Sequence, residues 1–551
     1  MKWNTLSEAG LALVRQLGDE SNAWLGRSGK MTSSLRALGA LSEPAAIPAI
    51  VDYLLDDDLA VAQETAAVVA ALFTRIPPEL LPTLDERIRA DSYWACPTDR
   101  WRKLAAGAID RLRKGPTHAL VLGLASCHGS GYVRQSAITR LDREITSGLE
   151  IPFLLLRLND WVSSVRHVAE QSIERRLTDS HRAAYLQNLA LVARLRSRLR
   201  ASKSPTLARI EALLRADTAA LVRGALASEG RVARRFGLSL ALDALCGTDA
   251  YDRGAALEQV IGSNDPAVRL QATCWLTQPT APLDLQHQIL PRLLDDRFVA
   301  VRRVALGWCA AREPQLHLLR LREALLDESC TIRSIAQFHL PKLEPIDLRD
   351  FYRTAVRQRD PRSLNAALGG LGETGRTDDA ELVVPSVDAP EPKIRKAALG
   401  ALAKLALEAH VEIFIGALQA GSPGVSRQAR LALNRHAQSV GADRLAAIFA
   451  DSPHPHVRRQ ALSLINRLPK WQKLPLLIEI YGGSEDSAQR TAESFLRSWL
   501  WTYNRTHQVQ PTKPEIARLR LAIATHGSKF ERRLGVEFHA ITGSLSNRDV
   551  R

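Results

Sequence analysis

Residues 391–402 decide the fold: Glu391-Pro392-Lys393-Ile394-Arg395-Lys396-Ala397-Ala398-Leu399-Gly400-Ala401-Leu402. An acidic residue stands before a proline, a pair that opens a helix. First-turn N–H groups have no intrahelical partner, so proline costs little there. A β-branched apolar residue follows, then Arg, then Ala three positions on. The same pattern recurs on both sides. Asp265-Pro266-Ala267-Val268-Arg269 leads to Ala272, Val301-Arg302 to Ala305, Ile332-Arg333 to Ala336 and Val457-Arg458 to Ala461. Nearer the start, Trp101-Arg102, Val133-Arg134 and Val165-Arg166 lead to Ala105, Ala137 and Ala169.

The alanines form a column. From Ala272 it runs through Ala305, Ala336, Ala367, Ala398, Ala429, Ala461 and Ala492, in steps of 33, 31, 31, 31, 31, 32 and 31. Towards the start the register holds with one step of 40, between Thr65 and Ala105. Each period holds two helices. The second opens with Asp265-Pro266, Asp360-Pro361, Glu391-Pro392 or Ser422-Pro423, and Pro48, Pro152 and Pro475 mark the start of the first. One such hairpin cannot bury its apolar face alone, so it must stack on the next. A small side chain lets the backbones approach, and a bulky one would overpack the contact at ~1–3 kcal/mol.

These motifs resemble HEAT repeats, specifically the HEAT-like type named after phycobilisome lyases. Two stretches carry the likeness: Leu35-Arg36-Ala37-Leu38-Gly39-Ala40-Leu41 followed by Pro44-Ala45-Ala46-Ile47-Pro48, and Ile394 to Leu402. The resemblance implies an all-α fold, an α-solenoid of about fifteen or sixteen HEAT-like helix pairs whose second helices line the inner surface. Stacked layers roughly 10 Å thick would extend on the order of 150 Å. The expected organisation is N-terminal repeats over 1–177, an irregular basic segment between lobes over 178–230, a regular array over 231–501, and a loop with capping helices over 502–551. The helices around Thr5–Leu17 and Phe530–Gly543 should cap the ends.

Lys and Arg number 74 against 59 Asp and Glu, a net +15. Two blocks hold most of the excess: residues 181–240 at +9 and 421–480 at +6. No acidic residue occurs from Ser180 to Ile210, which contains Arg194, Arg196, Arg198, Arg200, Lys203 and Arg209. In a helix Arg194 and Arg198 share one face and Arg196 and Arg200 another. Such a helix is basic nearly all round, cannot be fully buried, and is either a solvated bridge or a contact for a polyanion or partner. The second block includes Arg427, Arg430, Arg435, Arg444, Arg458, Arg459, Arg467, Lys470 and Lys473. By the family resemblance, the column of Arg102, Arg134, Arg166, Arg269, Arg302, Arg333, Arg395 and Arg458 is a structural ladder. Each of its arginines pairs with turn acids or carbonyls, a role that suits a planar fork of donors. Leu364, Ser426 and Gln489 interrupt it.

Apolar residues make up 46% and charged residues 24%, which excludes a disordered chain. No apolar run reaches the roughly 18 residues of a spanning helix, so no membrane insertion is expected. Met1-Lys2-Trp3-Asn4-Thr5 lacks the apolar stretch of a signal peptide, which places the protein in the cytoplasm. Cys96, Cys127, Cys246, Cys274, Cys309 and Cys330 lack metal-knuckle spacing and read as buried thiols.

None of the 14 histidines precedes Glu, against a HEAT-fold iron hydroxylase. His454 and His456 read as turn residues. Tyr93, Trp94, Asp99, Trp101 and Arg102 mimic the aromatic and Asp set of HEAT-like DNA glycosylases, but Trp101 occupies a core position. Phe495, Trp499, Trp501 and Tyr503 form the densest aromatic patch, read as packing beneath the C-terminal cap. No catalytic, cofactor-binding or metal residues are assigned, and no cofactor is expected. The leading expectation is a non-catalytic scaffold that holds an unidentified partner protein on its concave face. The alternative is a nucleic-acid-binding α-solenoid, of the HEAT-like DNA glycosylase type or a simpler one.

Overall fold

The computed structural model describes residues 5–23, 26–95, 99–112, 115–245, 250–503, 509–530, 534–538 and 541. The fold is all-α, a solenoid of stacked helical hairpins, and it divides into two compact units, Met1–Leu293 and Leu294–Arg551.

In the second unit the hairpins follow the sequence period closely. First helices Leu348–Gln358, Val411–Leu418, Ala442–Asp451 and Lys470–Tyr481 alternate with second helices Leu364–Thr374, Pro423–Leu433, Pro455–Ile465 and Asp486–Thr502. Pro392–Leu405 is the second helix of the hairpin between them. The alanine column is the seam. Ala305, Ala336, Ala367, Ala398, Ala429, Ala461 and Ala492 are all 0% exposed, as are Ala137, Ala169 and Ala272 in the first unit. The closest approach goes further than alanine allows. A Cβ built on Gly372 would lie 2.6 Å from the Cα of Ala401, so Leu364–Thr374 and Pro392–Leu405 meet backbone to backbone.

In the first unit, Ser7 caps the opening helix Glu8–Ser21 by accepting from the Gly10 N–H at 3.1 Å. Residues 178–230 lie within this unit and are largely helical, as Asp179–Gln187, Leu189–Leu195, Pro205–Arg215 and Thr218–Ala227. Their apolar residues explain the difference from an irregular bridge: Leu189, Leu191, Val192, Leu195, Ile210, Leu214 and Leu221 are all buried. The chain jogs at Asn188, whose Nδ2 donates to the Ala184 carbonyl at 2.8 Å and displaces the register.

Other local readings are corrected. Trp101-Arg102 does not open a helix. Asp99 adopts a positive φ of 57°, the chain turns, and Ala105 is exposed. Trp101 is held instead by its backbone: its N–H donates to Asp52, and its carbonyl accepts from His128 Nε2 at 2.8 Å. Pro361 sits in a turn before Leu364–Thr374, and Pro475 lies inside Lys470–Tyr481. Cys127 and Cys309 are buried, and burial pushes both thiols up to about 12. Cys274 and Cys330 are exposed, because each falls on the solvent side of a second helix; Cys96 and Cys246 lie outside the described residues.

Candidate functional site

The arginine column has one repeated geometry. Its members donate Nη1 to the carbonyl six residues upstream, in the turn between first and second helix. Arg134 reaches His128 at 3.0 Å, Arg166 reaches Asp160 at 2.7 Å, Arg269 reaches Ser263 at 2.8 Å and Arg302 reaches Asp296 at 2.9 Å. Arg333 reaches Asp327 at 2.9 Å, Arg395 reaches Ala389 at 2.7 Å and Arg458 reaches Ser452 at 2.7 Å. Several also bind a carboxylate of a later repeat: Arg134 with Asp160, Arg302 with Asp327, Arg333 with Glu373 and Arg458 with Glu485. Arg102 stands apart and pairs with Asp99 in its turn. Arg27 and Arg234 reach the carbonyl at the same offset through Nε, donating to Ser21 and Ser228 while Nη1 donates to Asp56 and Asp265. Sequence reading missed both because Lys30 and Gly237, not alanine, stand three residues on. Gln489 donates to the Gly483 carbonyl, a neutral rung at the same offset.

The position after the ladder residue has a different character. Lys396, Arg427, Arg459 and Arg490 occupy it in four consecutive second helices, at steps of 31, 32 and 31, and all four are exposed. Eight positions further on, Lys404, Arg435 and Arg467 repeat at 31 and 32, also exposed. Lys404 lies in the same helix as Lys396, where eight residues bring the chain back to within about 80° of the same face, and Arg435 and Arg467 stand in the turns just past Pro423–Leu433 and Pro455–Ile465. The stem of Lys396 lies across the next repeat, where a Cβ on Gly424 would sit 3.2 Å from its Cδ. Lys404 has a carboxylate partner, Glu373 at 3.5 Å. Among the described residues no ion pair is formed by Lys396, Arg427, Arg435, Arg459 or Arg467. Arg430 feels the crowding: burial first, then the charges of Arg427 and Arg467, pull its guanidinium below its ordinary value. Its Nε and the Oδ1 of Asn434, one turn on, are buried without a hydrogen-bond partner. Repetition of cations at the alanine period was the signal that could have found these columns.

In the first unit the basic block does not form one helix. The helix ends at Leu195, and residues 196–200 turn into a short 3-10 segment, Ala201–Lys203. Backbone N–H groups of Arg200 and Ala201 donate to Asn159 Oδ1 at 3.3 and 3.4 Å, and Arg194 Nη1 donates to the Glu79 carbonyl. Arg194, Arg198 and Arg200 therefore line one cleft, with Leu156, Leu191 and Leu195 also on its wall. Arg196 points elsewhere, paired with Glu211 at 3.2 Å and 5.5 Å from the Phe236 ring. Arg209 pairs with Glu174, and Lys203 is exposed on the 3-10 turn.

Behind the cleft lies a buried ionic network. The side chains of Arg134, Arg157 and Asp160 are 0% exposed. Asp160 accepts from Arg134 Nε and Nη2, both at 2.8 Å, from Arg157 Nη1 at 3.1 Å and from the Val162 N–H at 3.0 Å. Asp85 joins Arg89 and Arg157 to it. Trp161 rises from this network with 60% of its surface exposed, its ring centroid 5.1 Å from the Arg89 guanidinium and 5.0 Å from that of Arg134.

Trp101 is fully buried and presents no aromatic face, which weighs against a glycosylase groove there. The side chains of Tyr93 and Trp94 lie outside what the structure describes. Trp499 is buried against Trp471, Tyr503 and Phe538, while Trp501 is 79% exposed. Among the described residues, no group of three His, Cys, Asp or Glu side chains is placed to hold a metal ion, and no single helix is long and apolar enough to cross a membrane.

A search of curated protein sequences finds no match. Among solved structures, importin beta in an ammonium sulfate condition aligns over 96% of this chain and 80% of that one, at 13% identity and a TM-score of 0.37. Yeast importin-beta, Kap95p, aligns over 91% of this chain and 66% of its own, at 12% identity and a TM-score of 0.38. Kap121p bound to Pho4p aligns over 95% and 66%, at 12% identity and 0.35. Residues 382–466 match the family model for HEAT repeats, the span that holds the buried Ala398, Ala429 and Ala461 and the exposed Lys396, Arg427 and Arg459. The chain carries HEAT repeats.

Proposed function

We propose that the chain is a non-catalytic HEAT-repeat scaffold, its repeats of the lyase-named type, that holds an acidic partner protein on the concave face formed by its second helices. One observation carries the reading: exposed cations recur once per repeat, at Lys396, Arg427, Arg459 and Arg490, on a surface with few carboxylates of its own. Elsewhere the chain pairs its arginines with carboxylates across repeats. Here like charges stand together and Arg430 is partly desolvated among them. An array of that kind destabilises the free protein and is relieved when a partner supplies anions.

Affinity capture with the full chain tests this, comparing wild type with K396E/R427E/R459E/R490E. Wild type should retain acidic proteins in stoichiometric amount, released by salt and untouched by nuclease, and the variant should retain them at least about tenfold less. Equal retention by the two proteins, or release by nuclease, would refute it.

A further inference from the structure

We infer that the cleft of the first unit binds single-stranded nucleic acid, taking phosphates on Arg198 and Arg200 and a base on Trp161. The inference is independent of the scaffold reading, since it concerns other residues in the other unit.

The charge is the first support. Around the cleft six arginines, Arg89, Arg134, Arg157, Arg194, Arg198 and Arg200, face three carboxylates, Asp85, Glu86 and Asp160. Asp85 and Asp160 are already consumed by Arg89, Arg134 and Arg157. The guanidinium groups of Arg198 and Arg200 have no side-chain partner among the described residues. The turn that carries them is fixed, because Asn159 pins its backbone and Arg194 ties the preceding helix to residue 79.

Shape and chemistry narrow the ligand. The cleft has a volume near 230 Å³. That is below the roughly 300–1,000 Å³ of a site enclosing a whole drug-sized ligand, and it suffices for a phosphate and its sugar. An acidic or phosphorylated peptide would satisfy the arginines and leave Trp161 unexplained. An exposed indole beside free guanidiniums is the pairing that single strands use: the backbone follows the cations and bases stack on the ring, without sequence preference. The ring keeps 60% of its surface exposed although Arg89 and Arg134 lie over it, and that exposed part is where a base would stack.

Fluorescence anisotropy with a labelled oligothymidylate on the full-length protein tests the assignment. Wild type should bind, and affinity should fall with salt. R198Q/R200Q, which removes one half-buried and one exposed guanidinium, neither paired with a side chain among the described residues, should weaken binding at least about tenfold and flatten the log–log salt slope by about 1.4, at 0.7 per phosphate for single strands. W161A should weaken it by about tenfold, with W161F retaining most of the affinity and separating loss of stacking from loss of fold. Any one of three results overturns the inference. The first is a duplex of the same sequence bound as tightly. The second is displacement by a phosphoserine peptide with W161A as competent as wild type. The third is binding lost in K396E/R427E/R459E/R490E and kept in R198Q/R200Q.

Discussion

Replacing Asp160 with Asn should cost about 3–5 kcal/mol of stability, the usual penalty for removing one partner of a buried ion pair. The volume is unchanged and no cavity forms, so the loss is electrostatic. Arg134 and Arg157 are both fully buried and both aim donors at this carboxylate. An Asn amide would offer one oxygen to four N–H groups, the Val162 N–H among them, and turn its own N–H₂ toward a guanidinium, which has no lone pair to receive it. Arg134 would keep its bonds to the His128 and Gly129 carbonyls, so the turn before Gly131–Glu144 should survive while the 157–162 turn loosens.

The effect has a defined pH dependence. Burial alone would raise the Asp160 carboxyl, but the Arg134 hydrogen bonds, the Val162 N–H and the charges of Arg157 and Arg134 outweigh it and hold the group below its ordinary value. A depressed folded-state value gives stability that is complete above the unfolded value near 3.9 and is lost as pH falls from there through the folded one. The gap in melting temperature between wild type and D160N should therefore be full at neutral pH and close below about pH 4. A gap that widens in acid would mean that another group, not this carboxylate, is responsible. Asp56, Asp142 and Asp379 are lowered by the same balance of burial against arginine hydrogen bonds, so the wild-type protein as a whole should lose stability in the same window.

The repeat was legible because its cause is local and recurs. Each hairpin needs a small residue at the same point of its second helix, and every alanine from Ala272 to Ala492 is buried there. The basic surface of the second unit is legible by the same arithmetic: Arg427 and Arg459 of the second basic block stand one position past the ladder and repeat at the alanine period. The first unit was harder for a physical reason. Whether residues 194–200 continue as a helix depends on Asn159, some forty residues earlier, and on the Glu79 carbonyl, 115 residues earlier. No spacing rule within the segment contains that information. The motif at Trp101-Arg102 failed in the opposite way. It has the right residue types, but Asp99 turns the backbone and the indole is anchored to Asp52 and His128 by its own peptide groups. Pattern predicts elements where each repeat answers to its neighbour alone, and loses them where distant turns meet.

Gly372 gives the most direct test of the seam, because two effects of opposite sign compete there. In a helix Ala is favoured over Gly by ~1 kcal/mol, so Gly372→Ala would stabilise if the site were open. The new Cβ, however, would lie 2.6 Å from Ala401 Cα and 2.9 Å from Ala401 Cβ, distances that only movement of one backbone can relieve. Neither atom belongs to the end of a flexible side chain, and Ala401 is itself buried in Pro392–Leu405. Overpacking costs about 1–3 kcal/mol, and against unyielding backbone the upper part of that range applies, so after the propensity gain the net change should be a loss of up to about 2 kcal/mol. Gly372→Val adds two methyl groups at the same point and should lose more, at the upper end of that range or beyond. Gly416, in Val411–Leu418, meets nothing within 4 Å of a built Cβ, so Gly416→Ala should gain up to ~1 kcal/mol by propensity alone. Urea unfolding, with hydrogen exchange followed in residues 364–405, would separate the two. Opposite signs for the two alanines are expected, with faster exchange confined to the pair of helices that meet at Gly372. A stabilising Gly372→Ala would mean that these hairpins yield along their stacking direction and that backbone contact at the seam does not hold the second unit together.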